Sequence, residues 1–343
     1  MKHFFSLSLL IAGCLLFSQV SYGESQEEHA PKTPLDAVKL REQLSLARGG
    51  SGPEGAWPRT VTCQQEEYDF RSDALRVEER TFVVKAKPLR IIPHAVGVAE
   101  ILWAICPRER IVAFNEFAAD SESCFIADQV KKAGPVFQSK QTELVIGYRP
   151  DLVFTVFYSG ADFKEKLNQA KIPYFDLGYF GTIDSINKQI LLIGKLIGEE
   201  RNAEALVKTV DTQMRNLQAK LPKVSRPLRV LYYDQGGYVP GKSSNFDSIC
   251  EIIHVVNVGA EQGIKSWSQI DYETLLKWNP DIIVVPKESG LKEQLMGNQM
   301  LSHVSAIQSG KVYYVPGVYL RVASQYMVLS ANLLAGVVYE SAF

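Results

Sequence analysis

Short runs of apolar residues alternate along most of the chain with stretches in which apolar residues recur every three or four positions. The first pattern is typical of buried strands and the second of amphipathic helices. From residue 57 onward, the first half is predicted to contain strands at 90–93, 110–114, 151–156 and 173–176, and helices at 97–106 and 163–170. This alternation favours a parallel sheet with helices on both faces.

The same alternation returns in the second half. It predicts strands at 228–233, 281–286 and 312–315, and helices at 246–253, 272–278 and 325–339. We therefore expect an α/β protein with two lobes, an N-terminal lobe at 57–181 and a C-terminal lobe at 223–343. A crevice between two such lobes is the usual place for a ligand.

Residues 182–222 are predicted to connect the lobes as helices. One continuous apolar stripe with spacings of three and four runs along the second part of this stretch, formed by Leu206, Val207, Val210, Met214, Leu217 and Leu221. A helix over 201–221 would be ~30 Å long, long enough to brace the two lobes against each other. Pro222 and Pro227 would end it.

The N-terminus carries an export pattern. Lys2 precedes an apolar run over 4–17, which is too short to span a bilayer and has the length of a signal-peptide core. Small residues at Ser21 and Gly23 favour a signal peptide at 1–23. A lipid-anchored cysteine at Cys14, within Ile11–Cys14, is the weaker alternative. The chain is therefore expected in the periplasm or on the outer face of the membrane.

Residues 24–56 are rich in proline and glycine, which predicts a flexible linker, with a short amphipathic helix at about 35–47. Lysine plus arginine number 37 against 38 for aspartate plus glutamate, so there is no excess positive charge to hold nucleic acid. The five cysteines contain no CxxC pair, which leaves a structural zinc site unsupported. After export, the later four are either buried thiols or two disulfides of unknown pairing: Cys63, Cys106, Cys124 and Cys250.

Residues 236–243 read GGYVPGKS and match the phosphate-binding pattern G-x-x-x-x-G-K-[ST] without a mismatch. We reject nucleotide binding because export places the loop where ATP is scarce. In addition, the later apolar strand runs into Pro286 and Lys287 where a magnesium-binding aspartate is needed. The expected alternative is a glycine-rich turn at the crevice, whose free amides could bind a solute.

Several segments resemble one known family in order and spacing. They are residues 87–92, which lead into a predicted strand, the helix residues 99–102, the segment 134–136, ELVIGYRPD at 143–151, WSQIDYETLLKWNPD at 267–281, and residues 309–313, which lead into the last predicted strand. Together they resemble the iron-siderophore and cobalamin class of periplasmic solute-binding proteins that serve ABC importers. The resemblance implies a class III periplasmic binding protein fold, with two Rossmann-like lobes joined by a long helix. The sequence departs from the family's usual residues at 93–97 and 118–125, and both segments lie where the resemblance would place a ligand.

The resemblance also implies a function. The chain would be a non-enzymatic carrier, expected to be a monomer without an intrinsic cofactor. It would capture a chelated metal or corrinoid, either cobalamin or a ferric siderophore, and deliver it to an ABC permease with its ATPase. In the family a glutamate on each lobe pairs with permease arginines, and the matching residues here are Glu143 and Glu273. The alternative for each is stabilisation of its own helix dipole.

Ligand contacts are expected from aromatic and polar residues that follow strands, since aromatic side chains give contact area at small entropic cost. The candidates are His94, Phe114, Asn115, Phe117, Phe137, Gln138, Tyr158, Tyr179, Tyr233, Gln235, Tyr238, Trp267, Tyr319 and Arg321. Three of them, Phe137, Gln138 and Trp267, match positions where cobalamin binders of the family carry similar residues, which slightly favours a corrinoid over a siderophore as the expected ligand.

Two further points concern metals and rival functions. His94 could ligate haem iron or corrinoid cobalt, which makes a haem carrier an alternative. The pairs Tyr232–Tyr233 and Tyr313–Tyr314 cannot chelate one ion, because neighbours in a strand face opposite ways. An exported hydrolase lacks support from G-x-S-x-G or H-E-x-x-H motifs. A further alternative is an envelope sensor that keeps the two lobes but whose crevice no longer binds a ligand.

Overall fold

The chain enters the fold through a helix and a long β-hairpin. The computed structural model describes residues 31–49, 55–69, 74–179 and 181–343; the predicted signal peptide and Cys14 lie outside them. Helix α1 (Ala37–Ser45) is followed by the antiparallel strands β1 (Arg59–Asp69) and β2 (Ala74–Val84). Helix α1 buries Leu40 and Leu44. Residues 37–45 of the predicted flexible linker therefore belong to the folded body, because burial of this apolar face offsets the cost of ordering the helix.

Strands and helices alternate through the first half of the chain. They are β3 (Ile91–Pro93), α2 (Val96–Ile105), β4 (Phe114–Asn115), α3 (Ala127–Ala133), β5 (Val136–Phe137), α4 (Thr142–Gly147), β6 (Leu152–Thr155), α5 (Ala161–Gln169) and β7 (Tyr174–Asp176). All strand pairs are parallel, in the orders β3-β6-β7 and β4-β5. A single bridge between Ile91 and Ile111 joins the two groups.

The strand predicted at 110–114 is mostly absent. Arg108–Arg110 forms a short 3-10 turn instead. The buried guanidinium of Arg110 donates to the carbonyl oxygens of Pro88 (2.8 Å) and Ile197 (2.6 Å), and it pairs with Glu199 at 2.7 Å. These tertiary bonds hold the segment in a bend, so pairing is limited to the bridge at Ile111 and to β4.

Two helices connect the halves. Helix α6 (Ile183–Ile197) begins at a capping box made by Thr182 and Ser185, and it ends at Gly198 with φ of 74°. That left-handed conformation favours glycine. Helix α7 (Glu200–Gln218) has 19 residues, which makes it about 28 Å long. Its predicted apolar stripe faces the body through Leu206, Val210 and Leu217, all buried.

The second half repeats the parallel architecture. Its elements are β8 (Arg229–Tyr232), β9 (Tyr238–Pro240), α8 (Asn245–Ile252), β10 (Val256–Asn257), α9 (Val258–Glu261), β11 (Trp267–Gln269), α10 (Tyr272–Trp278), β12 (Ile282–Pro286), α11 (Leu291–Met296), α12 (Ser305–Gln308), β13 (Val312–Val315), α13 (Gly317–Leu320) and α14 (Met327–Val338). The order β10-β8-β12-β13 is parallel, and β9 pairs with β11 antiparallel.

The predicted α/β fold class is confirmed by this arrangement of two parallel sheets with a helical connection. Helix α14 packs back against α1, α7 and α8, and buries most of its residues. Cys63, Cys106, Cys124 and Cys250 are free thiols, and all but Cys63 are buried. Within the described ranges, no helix is both long and apolar enough to span a bilayer.

Candidate ligand-binding crevice

The floor of a crevice forms where the two halves touch. Helix α2 starts directly after strand β3, and its first turn lies against residues 320–324, which precede α14. Gly97 is required at this contact, because a Cβ at this position would overlap the carbonyl oxygen of Ala323. The absence of a side chain therefore lets the two halves approach as closely as they do.

Two cavities of about 290 and 280 Å³ lie above this floor. They share Ala95, Gly97, Tyr158, Arg321 and Ala323, so they are two ends of one crevice. The first end is also lined by His94, Val96, Glu100, Asn115, Phe117, Glu122, Ser123, Phe125, Ser139, Val318 and Val322. The second end is also lined by Val156, Phe157, Tyr179, Ser244, Asn245, Phe246, Trp267 and Leu320.

Arg321 supplies the positive charge at the point that both ends share. Its guanidinium lies 3.3 Å from a carboxylate oxygen of Asp234, and the same oxygen accepts a hydrogen bond from the Tyr232 hydroxyl at 2.5 Å. The Arg321 side chain is still 51% exposed. Asp234 thus fixes the direction of the guanidinium while leaving donor groups for an anionic part of a ligand.

Aromatic side chains form much of the second end. Tyr158 is 61% exposed and Trp267 is 44% exposed, although both line the cavity. Phe157 packs edge-on against Tyr158 and against Tyr179. Tyr179 is held from both sides, because its amide donates to the carbonyl oxygen of Glu66 and its hydroxyl donates to that of Ser243. Flat exposed rings at the mouth and a fixed ring inside suit a ligand with planar apolar surface.

His94 lines the first end but is 8% exposed. Its Nδ1 lies 2.9 Å from the Ser159 hydroxyl, and its ring is stacked near Phe163 and Phe137 with centroid distances of 4.1 and 6.1 Å. Burial lowers the pKa of His94 to about 4, against a smaller opposite effect of the Ser139 backbone. The ring is therefore neutral at ordinary pH, and its Nε2 atom is covered by protein.

Glu100 was not predicted and is the most unusual charged group of the crevice. It is 2% exposed on α2 and accepts hydrogen bonds from the Phe125 amide at 2.7 Å and the Ser324 hydroxyl at 2.5 Å. Its backbone carbonyl accepts from Gln325 Nε2 at 2.9 Å. Burial raises the pKa of Glu100 to about 7, despite these bonds and the charge of Arg41. Glu100 thus ties the two halves together under the ligand space.

The structure brings together about half of the predicted ligand residues. Those that line the crevice are His94, Asn115, Phe117, Tyr158, Tyr179, Trp267 and Arg321. Those outside both ends are Phe114, Phe137, Gln138, Tyr233, Gln235, Tyr238 and Tyr319. Phe114 and Phe137 are each 1% exposed, because they lie on the short strands β4 and β5 and pack into the core.

The missed lining residues are mostly small or aliphatic. Val96 and Gly97 open helix α2, and 318–323 precede α14, so neither segment carries a distinctive motif. The one usable signal was position, since both segments directly follow a strand that ends at the crevice. Phe125 and Phe246 are aromatic, a residue type expected at a ligand site. They are 4% and 1% exposed, and nothing in the sequence distinguishes them from ordinary core residues.

Three amides at the end of the GGYVPGKS segment are not free, contrary to expectation. The amides of Gly241, Lys242 and Ser243 donate to the carbonyl oxygens of Ser266, Ile264 and Lys265. These backbone bonds use the donors that a phosphate or another solute would need. The expectation that this turn binds a solute through those amides is therefore wrong.

The two predicted docking glutamates are both exposed and both lie in the first turn of a helix, Glu143 on α4 and Glu273 on α10. Their surroundings differ. Glu143 lies 3.2 Å from Lys166 of α5, and its own backbone amide and Lys166 lower its pKa. Glu273 forms no salt bridge within the described ranges.

A family profile described as periplasmic binding protein matches residues 96–319. The chain therefore belongs to the periplasmic binding protein family, and it is a substrate-binding transport protein, not an enzyme. The match runs from the first residue of α2 into α13, so it includes the parallel strands of both halves except β3, and most of the crevice residues, although Arg321 lies just beyond it.

Among curated relatives, the ABC transporter substrate-binding lipoprotein YvrC of Bacillus subtilis, itself uncharacterized, is 25% identical over 241 residues, 68% of this chain and 74% of the relative. The molybdate-binding protein MolA of Haemophilus influenzae is 25% identical over 202 residues, 52% and 57% of the two chains. The ferric-anguibactin-binding protein FatB of Vibrio anguillarum is 21% identical over 186 residues, 50% and 58%.

A solved structure shows the same fold. The apo form of the periplasmic heme-binding protein RhuT from Roseiflexus superposes with a TM-score of 0.65 at 18% identity, covering 74% of this chain and 99% of that one. At this identity the likeness establishes the fold alone. It supports the description of the chain as a class III periplasmic binding protein.

Proposed function

We propose that this chain captures a metal chelate outside the cytoplasmic membrane and delivers it to an ABC permease driven by a cytoplasmic ATPase. The observation that carries the proposal is one exposed guanidinium, Arg321, at the centre of a crevice with aromatic walls. Many metal chelates combine planar apolar surface with anionic oxygen groups, so rings and one fixed cation suit them. The names of FatB and MolA, which mention a ferric chelate and molybdate, support a metal-containing ligand.

The dimensions of the crevice favour a compact ferric siderophore over cobalamin. The two ends of the crevice have volumes of about 290 and 280 Å³, so together they fall within the range of ordinary small-molecule pockets, ~300–1,000 Å³. A corrinoid with its nucleotide loop is much larger than this space, so it would require the two lobes to separate. Of the three positions matched to cobalamin binders, Trp267 lines the crevice, whereas Phe137 and Gln138 do not and so give cobalamin no support.

Haem is the second candidate, suggested by RhuT, which is described as a heme-binding protein, and by the position of His94 at the first end of the crevice. Axial ligation would require His94 to leave its contacts with Ser159 and Phe163, because its Nε2 atom is covered. This cost places haem behind a ferric siderophore. An exported hydrolase is not retained, given the family.

The cellular setting follows from the same proposal. A signal peptide at 1–23 would export the chain, and a relative described as a lipoprotein is consistent with attachment at the outer face. The lobes at 57–181 and 223–343 would present Glu143 and Glu273 to the permease, joined by the connection at 182–222. Two carboxylates placed far apart, each paired with an arginine of the permease, would contribute to orientation and association rate more than to affinity.

The test is a ligand panel measured by thermal unfolding of the exported chain. The probes are ferric hydroxamate and catecholate siderophores, haem, cyanocobalamin and molybdate. A ligand at one hundred times its dissociation constant stabilises the fold by about 2.7 kcal/mol, which gives a clear rise in melting temperature. We expect this rise with a ferric siderophore and its loss in Arg321→Gln.

Arg226→Gln is the matched control, because Arg226 also pairs with an aspartate, Asp281, at 2.7 Å and is exposed, but it does not line the crevice. It should bind like the unmodified chain. The proposal fails if no probe shifts the melting temperature, or if Arg321→Gln and Arg226→Gln respond alike.

A further inference from the structure

A separate groove lies in the C-terminal half beside the first turn of α10. Its volume is about 590 Å³, and its lining is Tyr233, Gly236, Gly237, Gln269, Ile270, Asp271, Tyr272, Leu291 and Gln294. None of these residues lines the ligand crevice. Asp271 and Tyr272 immediately precede Glu273, so the groove opens next to the carboxylate proposed for permease docking.

The walls of the groove are held in place by the chain itself. Gln269 Nε2 donates to the carbonyl oxygen of Gly236 at 2.6 Å, and Gln294 Nε2 donates to the Tyr272 hydroxyl at 2.7 Å. Gly237 has φ of 81°, and a Cβ there would overlap the carbonyl oxygen of Ile270. The first glycines of the GGYVPGKS motif therefore shape this groove, which is a role that phosphate binding does not explain.

The groove combines aromatic surface with negative charge. Asp271 is exposed, and hydrogen bonds from Thr274 lower its pKa, so it is an anion throughout the neutral range. Tyr233 is 4% exposed, and its hydroxyl lies beside Gly237. Among the described residues, the lining contains this one carboxylate and no lysine, arginine or histidine.

We infer that this groove receives an arginine side chain from an extracytoplasmic segment of the permease, as a second anchor next to Glu273. The inference rests on the proposed function. A guanidinium can donate hydrogen bonds to the exposed Asp271 carboxylate, one oxygen of which already accepts from the Thr274 amide, while its face lies against the half-buried Tyr272 ring. The groove also distinguishes the two proposed docking sites. Glu143 lies next to Lys166, whereas Glu273 lies next to the groove that carries the Asp271 carboxylate.

The first experiment uses the chain alone. The ¹⁵N-labelled protein is titrated with N-acetyl-arginine amide and with N-acetyl-citrulline amide, which has nearly the same shape without the charge. We expect the arginine probe to shift the amide signals of Gly236 and Gly237 and the side-chain amides of Gln269 and Gln294. The citrulline probe should bind about tenfold more weakly.

Asp271→Asn is the decisive variant, since asparagine also caps helices well and so keeps α10 intact. Asp36→Asn is its matched control, because Asp36 caps α1 in the same way, accepting from the Lys39 amide at 3.0 Å, and does not line the groove. Asp271→Asn should weaken arginine binding about tenfold and Asp36→Asn should not. Equal binding of both probes, or equal behaviour of the two variants, would overturn the inference.

The second experiment measures stimulation of the chain's own permease–ATPase complex in nanodiscs. Asp271→Asn should raise the half-maximal chain concentration about tenfold while leaving the ligand-induced melting shift unchanged. If Glu143→Gln and Glu273→Gln weaken stimulation but Asp271→Asn does not, the groove inference is wrong and docking by the glutamates stands. If none of the three has an effect, the docking face itself is wrong.

Discussion

Replacement of Glu100 by glutamine should remove a specific part of the pH dependence of stability. Glu100 is 2% exposed, and burial raises its pKa from 4.5 to about 7. Between these pH values the folded chain keeps a proton that the unfolded chain has released. Stability therefore falls as pH rises from about 4.5 to 7, and the full penalty is present above that range.

The size of the effect follows from the shift. One pKa unit is 1.36 kcal/mol, so a rise from 4.5 to about 7 corresponds to about 3 kcal/mol. Glutamine imitates the protonated carboxyl, because its oxygen can accept from the Phe125 amide and its NH₂ group can donate to the Ser324 hydroxyl. We expect Glu100→Gln to equal the unmodified chain near pH 4.5 and to exceed it by up to about 3 kcal/mol at pH 8.

The assay is urea unfolding followed by tryptophan fluorescence, repeated at half-unit steps from pH 4.5 to 8. Glu42→Gln on the exposed face of α1 is the control for loss of a negative charge, and it should keep the slope of the unmodified chain. Groups with lowered pKa values, such as Glu261 and Asp281, make both proteins less stable as the pH falls. Their contribution therefore cancels in the difference between the two proteins. If Glu100→Gln keeps the slope of the unmodified chain, the carboxyl is hydrated and the reasoning fails.

Three other substitutions test separate parts of the structure. Gly97→Ala should destabilise the fold by about 1–3 kcal/mol and weaken ligand binding, because its Cβ would force α2 away from Ala323; denaturant unfolding and ligand titration check this. Arg110→Met should cost about 3–5 kcal/mol in unfolding experiments, since it removes the positive charge 2.7 Å from Glu199 and leaves the carbonyl oxygens of Pro88 and Ile197 without this donor. Lys166→Gln should strengthen permease docking by no more than a few-fold by releasing Glu143, measured as the half-maximal concentration for ATPase stimulation.

The sequence predicts the regular elements well where apolar patterning is strong. Strand β13 and helix α10 agree with their predictions at both ends, and helix α7 begins within one residue of its prediction. The prediction at 110–114 failed because Arg110 takes its partners from distant segments, Pro88 and residues 197–199. Contacts of that kind leave no local pattern. The hairpin β1–β2 is likewise absent from the strands that the apolar pattern predicts.

The site was harder to predict because residues of the same type lie in the crevice at one position and in the core at another. Phe117 is 50% exposed at the crevice, whereas Phe114, three residues earlier, is 1% exposed in the core. The choice depends on the end of the very short strand β4 and the 3-10 turn that follows it, which apolar spacing does not resolve. Glu100 was missed for the opposite reason, since a glutamate inside an apolar helix has no recognisable partner until Ser324 is brought to it by the fold.

The contacts around the crevice also limit how the protein can respond to a ligand. The two halves are tied below the ligand space by Glu100 and Ser324, and at one side by the Tyr179 hydroxyl and the Ser243 carbonyl oxygen. Wide opening would break a buried hydrogen bond at the first place and a part-buried one at the second, and helix α7 braces the halves along its length. We therefore expect ligand binding to reposition exposed mouth residues such as Tyr158 while the lobes move little. Small-angle X-ray scattering with and without the ligand should give the same radius of gyration within error. A large decrease on adding the ligand would show that the free protein is open, with these ties broken, and would refute the expectation.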